Sequence, residues 1–438
     1  MKQFRRILPI LLLLALLTGC AFSGAEELYS LPRRSDVFLE LEAAIDGVMQ
    51  GAGYAAPLSG TNKRSIQNAD LDGDGTEEVL VFARDTGAAR PLRIYVFRQK
   101  EEDYVLSSTL ELDGSAFDSV QFVQIDGKPG LEMVVSTRIS GQVLHYLGVY
   151  SILGERGEEL LCTGCSSYTV TDLNGDGLSD LIVFSDTASS PNGLAEYYRW
   201  HEDTLGRSGE AGLSVSAENI KRIINGNVAD GVPATFVAST YDADNIITDV
   251  FEAPQDSVFQ NIVYQTEDTE LSTSTVRSYY VYSTDIDNDG VIELPYIEPL
   301  QAIPNDSASR DQSCIIWYNL LPDGTHAEKL VTYHNYSEGW YLQVPSSLSS
   351  VLSVTKREDS TLGACTCFLI SDYAARHELL RIYRLEGTTA TDALDNGSVT
   401  LLARRGDIYY CLAPGKDMDL DFGSMQESFG FITTDSAS

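Results

Sequence analysis

Short apolar runs recur along the chain, each following a segment of alternating apolar and polar residues and separated from it by an acidic, glycine-containing stretch. "SIQNA" precedes and "VLVF" follows residues 70–78, "SYTVT" and "LIVF" flank 172–180, and "YYVYST" and "LPYI" flank 285–293. Period-two alternation and short β-branched or aromatic runs predict strands, so each unit reads as strand, acidic loop, strand. A 3.6-residue period occurs clearly once, from Asp36 to about Gln50, where Val37, Phe38, Leu41, Ile45, Val48 and Met49 share one face. That spacing predicts a short amphipathic helix packed on the main domain.

The three acidic stretches, "DLDGDGTEE" (70–78), "DLNGDGLSD" (172–180) and "DIDNDGVIE" (285–293), fit one pattern, D-x-[DN]-x-D-G-x-x-[DE]. Oxygen ligands at loop positions 1, 3 and 5 converge when the loop curls, Gly at 6 permits the sharp turn, a carbonyl at 7 adds an oxygen, and the carboxylate at 9 closes the shell. A hard, oxygen-only donor set of this kind suits Ca²⁺ far better than Zn²⁺. The expected ligands are Asp70, Asp72, Asp74, the Thr76 carbonyl and Glu78; Asp172, Asn174, Asp176, the Leu178 carbonyl and Asp180; and Asp285, Asp287, Asp289, the Val291 carbonyl and Glu293. EF-hands start in the same way but need flanking helices and a Glu at position 12, where this chain has Val81, Val183 and Tyr296. An Asx-rich turn without metal is the alternative for any one such loop, and three copies in one chain weigh against it.

The spacing also counts repeats. Asp70 and Asp172 are 102 residues apart, and Asp172 and Asp285 are 113 apart. Each gap holds a weaker copy near its middle. "VQIDGKPGLEMVVS" (123–136) has Gln124 and Lys128 at positions 1 and 5, so no metal is expected there, and "NVADGVPATFVAS" (227–239) keeps only Asp230-Gly231 and the strand. The resulting period of roughly 50 to 57 residues suits a four-stranded propeller blade. These loops and their following strands resemble the FG-GAP / VCBS propeller repeats, the type found in the integrin α-subunit head and in many bacterial surface proteins. The resemblance covers about two thirds of the chain and implies an all-β fold, a β-propeller of five to seven blades with about three structural Ca²⁺ sites in blade loops. Integrin-type propellers have seven blades, whereas five hairpins are visible here, two of them degenerate.

The N-terminus, "MKQFRRILPILLLLALLTGC", has a basic start, an apolar run too short for a comfortable membrane span, and Leu17-Thr18-Gly19-Cys20, which resembles a bacterial lipobox. The expected organisation is a leader (1–19), a tether lipidated at Cys20 (20–35), a helix and lead-in (36–59), the propeller (60–340) and a small β-rich C-terminal domain with a polar tail (341–438), in which Asn396-Gly397 reads as a hairpin turn. Packing of that last segment as extra blades is the alternative. The net charge is −34, and loss of the three leader cations would take it to −37. Such a surface excludes nucleic acid as a partner, because phosphate contacts need Lys and Arg.

Chemistry beyond the acidic loops is sparse. Cys162-Thr-Gly-Cys165 precedes a strand, whereas a thioredoxin-type motif opens a helix, so a local disulfide or two buried thiols is expected. The five His stand outside any H-E-x-x-H, no G-x-S-x-G occurs, and Ser353-Val-Thr-Lys356 lies in a strand-like run that points Ser and Lys to opposite faces. Twenty-three Tyr and three Trp suit a protein- or sugar-binding face and suit strand cores equally. The resulting expectation is a non-catalytic, calcium-stabilised, membrane-anchored extracytoplasmic binding lipoprotein with a protein or carbohydrate ligand. A polysaccharide-active enzyme on a propeller scaffold is the runner-up.

Overall fold

The computed structural model describes residues 36–101, 103–139, 144–153, 157–187, 192–254, 258–263, 275–278, 281–321, 325–371, 376–415 and 426–432. The leader, Cys20 and the tether lie outside these residues. Among the described residues the chain is all-β, built as six antiparallel sheets in chain order. We number them I (53–112), II (116–165), III (167–212), IV (220–278), V (294–344 with 429–431) and VI (352–414). This succession of four- and five-stranded antiparallel sheets is the organisation of β-propeller blades.

The continuous apolar runs follow from how the sheets stack. Successive strand residues point to opposite faces, and here both faces are covered. In strand Asp180–Ser185 of sheet III, Leu181 and Val183 join a cluster with Val134 and Leu147 of sheet II. Ile182 and Phe184 join one with Val237 and Phe251 of sheet IV. Sheets I and II share Phe82, Ile94, Phe117 and Val135 in the same manner, and sheets IV and V share Phe236, Val250, Leu294 and Tyr318. A strand sandwiched in this way reads as apolar throughout, not as alternating. The helix Asp36–Val48 covers one face of sheet I, setting Ile45 with Leu41, Ala44 and Val48 against Val79, Val81, Tyr95 and Phe97.

Three expectations need correction. The boundary placed at 341 falls inside strand Trp340–Val344 of sheet V, and Phe429–Phe431 returns from the C-terminus to pair with that strand. Sheet VI is buried against sheet V through Val331, Tyr333, Leu352, Phe368 and Leu412, so the C-terminal strands stack like the other sheets and are not a separate small domain. Asn396-Gly397 is not a hairpin turn. It ends the helix Gly387–Asp395, with Gly397 at φ 72° and its N–H, with that of Ser398, donating to the Leu394 and Ala393 carbonyls, the usual role of glycine past a helix C-terminus. Finally, Cys162 and Cys165 both lie on strand Glu158–Cys165, one exposed and one buried, and both are free thiols. Three strand residues span about 10 Å and end on opposite faces, beyond the reach of a disulfide.

Candidate metal loops

The acidic loops each lead into an early strand of a sheet. Residues 70–77 join Ile66–Ala69 to Glu78–Arg84 in sheet I, and 172–179 join Ser167–Thr171 to Asp180–Ser185 in sheet III. The third loop, 285–292, runs from a bridge at Thr284 opposite Glu293 into Leu294–Pro299 of sheet V. The degenerate copy, 124–131, sits at the same turn in sheet II, and Asp230-Gly231 at that of sheet IV. Neighbouring loops touch. A Cβ on Gly73 would lie 2.4 Å from Pro129 and Gly130, Ser179 N–H donates to the Gln124 carbonyl, and Asn227 Nδ2 donates to the Gly290 carbonyl.

Each loop is held by the same bonds. The position-1 side chain accepts backbone N–H groups across the turn: Asp70 from Gly73 (2.7 Å) and Gly75 (3.0 Å), Asp172 from Gly175 (2.8 Å) and Gly177 (2.8 Å), and Asp285 from Asp289 (3.0 Å) and Gly290 (2.9 Å). The position-5 carboxylates accept from the N–H of the position-7 residues Thr76, Leu178 and Val291. The position-9 carboxylate reaches back under the loop to the N–H at position 2, in the pairs Glu78–Leu71, Asp180–Leu173 and Glu293–Ile286. These closing carboxylates are buried, with relative exposures of 2%, 1% and 0%. Burial pushes Glu78 up, Asp180 to about 6 and Glu293 to about 7, with the neighbouring loop aspartates adding to each.

Two loops converge on a cation-sized point. Ligand oxygens of Asp70, Asp72 and Glu78 lie within 4.8 Å of one another, as do those of Asp285, Asp287 and Asp289. Asp74 and Glu293 lie outside these two groups of three, although the buried Oε1 of Glu293 has no hydrogen-bond partner, an unmet acceptor of the kind a hard cation would satisfy. The residues present therefore fit Ca²⁺. The second loop is arranged differently. Its Asn174 amide donates to Asp176 (2.9 Å), and Asp180 also accepts from Tyr197 Oη (2.7 Å).

Sequence reasoning missed the basic side chains that reach these loops. Arg98 contacts Asp72 (3.0 Å) and approaches Glu78 (3.8 Å) in the first. Lys329 bridges Asp287 (3.1 Å) and Asp289 in the third. In the degenerate loop Lys128 pairs with Asp126 (3.1 Å) and lies over the Trp200 ring (4.7 Å). Only Lys128 was visible from the loop itself, as the residue replacing Asp at position 5. Ser353 is buried and Lys356 exposed on Leu352–Asp359, on opposite faces.

No helix among the described residues is long and apolar enough to cross a membrane. No protein-family model matches the chain, and no curated protein matches it. Among solved structures it is similar to the exotype rhamnogalacturonan lyase YesX (12% identity, TM-score 0.30, 71% of this chain and 64% of that one). It is also similar to the rhamnogalacturonan lyase YesW (11%, TM-score 0.28, 76% and 72%) and to the Dos1 propeller (8%, TM-score 0.26, 82% and 81%). The chain thus spans somewhat less than two thirds of YesX, and likenesses this distant assign neither activity nor ligand.

Proposed function

We propose that this protein is a calcium-stabilised binding platform, non-catalytic, lipid-anchored through Cys20 on the extracytoplasmic face of a bacterial membrane, with a protein or carbohydrate ligand. One observation carries the calcium reading. In the degenerate loop Gln124 Oε1 accepts from Gly127 N–H at 2.9 Å and Glu132 from Ile125 N–H at 2.8 Å, reproducing the Asp70–Gly73 and Glu78–Leu71 bonds. The turn therefore forms without carboxylates at positions 1 and 5. The extra charge in "DLDGDG" serves something other than the turn, and like charges held this close need a cation.

Bound Ca²⁺ would offset two negative charges in each cluster and tie the curled loop to the strand that follows it. The protein's part is to hold the aspartates on the curled loop and to present the position-9 carboxylate from the buried start of the second strand. The lipid anchor rests on the Leu17-Thr18-Gly19-Cys20 resemblance, and the acidic surface keeps the chain off nucleic acid. Calcium titration of the full-length protein in detergent, by calorimetry with parallel melting curves, tests this reading. About three sites and a raised melting temperature are expected; no calcium binding would reduce the aspartates to turn formers. No specific observation favours the polysaccharide-active enzyme.

A further inference from the structure

Two cavities of about 300 Å³ each abut where strand His326–Asn335 of sheet V meets Ser278 and residues 281–288. Each matches the lower bound of small-molecule sites, ~300–1,000 Å³. They share three lining residues, Val281, His334 and Tyr336. The His334 ring stacks on Tyr341 (5.3 Å, 22°) and stands 5.5 Å from Tyr336 and 6.1 Å from Trp317. The inner faces of that stack are thus taken, while Tyr336 remains 51% exposed at the shared wall. Tyr336 therefore gives the cleft an exposed aromatic side chain, beside the half-buried Tyr282 and Tyr341 of the second cavity.

The polar lining narrows the ligand further. One cavity carries Asp311 and Lys356, an acid and a base, in a chain of net charge −34; the other carries Arg222 and Asp285, the latter a carboxylate that the calcium reading assigns to the third loop's ion. Burial draws His334 down to about 4, so its imidazole adds no charge near neutral pH. Amides and hydroxyls of Gln312, Ser313, Asn335 and Ser337 line the first cavity. In a chain of net charge −34, with acid and base balanced in the first cavity, an anionic ligand gains little there. A ligand with an apolar C–H face on one side and hydroxyls around its edge can pack on the exposed ring and use the bonding capacity these groups have left, since the Gln312 amide already bonds Ala308 and Tyr333 and the Asn335 amide already bonds Thr366, Ser337 and Glu338.

We propose that this double cavity binds a neutral oligosaccharide, with one sugar ring in each cavity and Tyr336 packed against a pyranose face at their junction. The proposal deepens the binding-platform reading and rests on it for the protein's role. Because Asp285, Ile286 and Asn288 line the second cavity, the sugar would lie beside the third acidic loop.

The test is a glycan array of neutral di- to tetrasaccharides probed with full-length protein in detergent, in millimolar Ca²⁺, followed by calorimetry on whatever is retained. Wild type is expected to retain at least one neutral glycan. Tyr336→Ala should weaken binding by about tenfold, and Tyr336→Phe, which keeps the face, should stay near wild type. Tyr296→Ala is the control, since Tyr296 is similarly exposed (48%) on the same sheet while its neighbour Ile297 lines the cavity, which points Tyr296 the other way. Retention of no glycan, retention of acidic glycans alone, or unchanged binding by Tyr336→Ala overturns the proposal. Melting curves with and without calcium separate the two readings. Calcium stabilisation without glycan binding removes the cleft and keeps the platform; glycan binding without calcium stabilisation does the reverse.

Discussion

The loops 70–78 and 124–132 lie against each other, close with the same carboxylate-to-backbone bond, and differ in what neutralises them. At Asp126 the counter-charge is internal. Lys128, two residues along, pairs with it and is held over Trp200. That cation is covalently part of the loop and always present. At Asp70, Asp72 and Asp74 no loop residue is basic, and Arg98 reaches only Asp72 and Glu78 while donating also to the Ile152 carbonyl. One guanidinium against four carboxylates leaves the loop negative. On the proposed calcium reading, the strand–loop–strand unit has two solutions: a lysine would make the hairpin independent of the medium, and an aspartate at the same position would make it depend on a soluble cation.

Removing that cation should give the largest effect. Extracellular calcium modules bind at ~10⁻⁴ to 10⁻³ M. With about 2 mM Ca²⁺ and a dissociation constant near 10⁻⁴ M, each site adds about 1.8 kcal/mol, and three sites about 5 kcal/mol. Chelation is therefore expected to lower the melting temperature by several degrees, read by calorimetry or circular dichroism. An unchanged melting temperature would leave the two loops equivalent and break the comparison.

Exchanging the loops' chemistry should give effects of one site each. Asp74→Lys copies the degenerate loop into the first and should remove one calcium equivalent, with about 1.8 kcal/mol less calcium-dependent stabilisation. The reciprocal Gln124→Asp/Lys128→Asp should add one equivalent and lower the calcium-free melting temperature, since Asp126 loses its partner. Stoichiometry by calorimetry decides both. If the double variant binds no additional calcium, carboxylates at positions 1 and 5 are not sufficient without the glycine that the other loops carry where this one has Pro129.

These loops were legible because their determinants are local. The acidic run, the Gly residues at positive φ (74° at Gly73, 88° at Gly75) and the apolar strand that follows all fall within about a dozen residues. Sheet VI was read as a separate domain because its first turn, near Asp359–Gly363, carries no acidic loop to mark it as a repeat. The helix Gly387–Asp395 escaped because "GTTATDALD" has few apolar residues, and its burial comes from Ala390 and Ala393. A register shift in the last hairpin of sheets I, II and III, as at Val96/Phe97 and Val149/Tyr150, and between the second and third strands of sheet V at Trp317/Tyr318, leaves no common residue type behind. The aromatic cleft draws Arg222, Tyr282, Trp317, His334 and Phe431 from distant points of the chain, and no window of sequence holds that information.

Lys329 is the finest test of internal against soluble cation. It comes from strand His326–Asn335, 40 residues beyond Asp289, and bridges Asp287 and Asp289. The third loop is thus intermediate: it has the full acidic set of the first and a borrowed lysine in place of the degenerate loop's own. Two carboxylates share that one ammonium, whose pKa they raise chiefly through hydrogen bonds, while Glu293 Oε1 stays unmet. Calcium entering this loop must displace the ammonium from both aspartates, so the tether competes with the metal. Lys329→Met should therefore raise calcium affinity at one site by about threefold, the scale of a partly exposed ion pair, and should make the calcium-free protein less stable. Calorimetry resolves the affinity change, and melting in chelator resolves the stability change. Should Lys329→Met weaken calcium binding, Lys329 would be positioning the aspartates for the ion, and the third loop would belong with the first, not between the two.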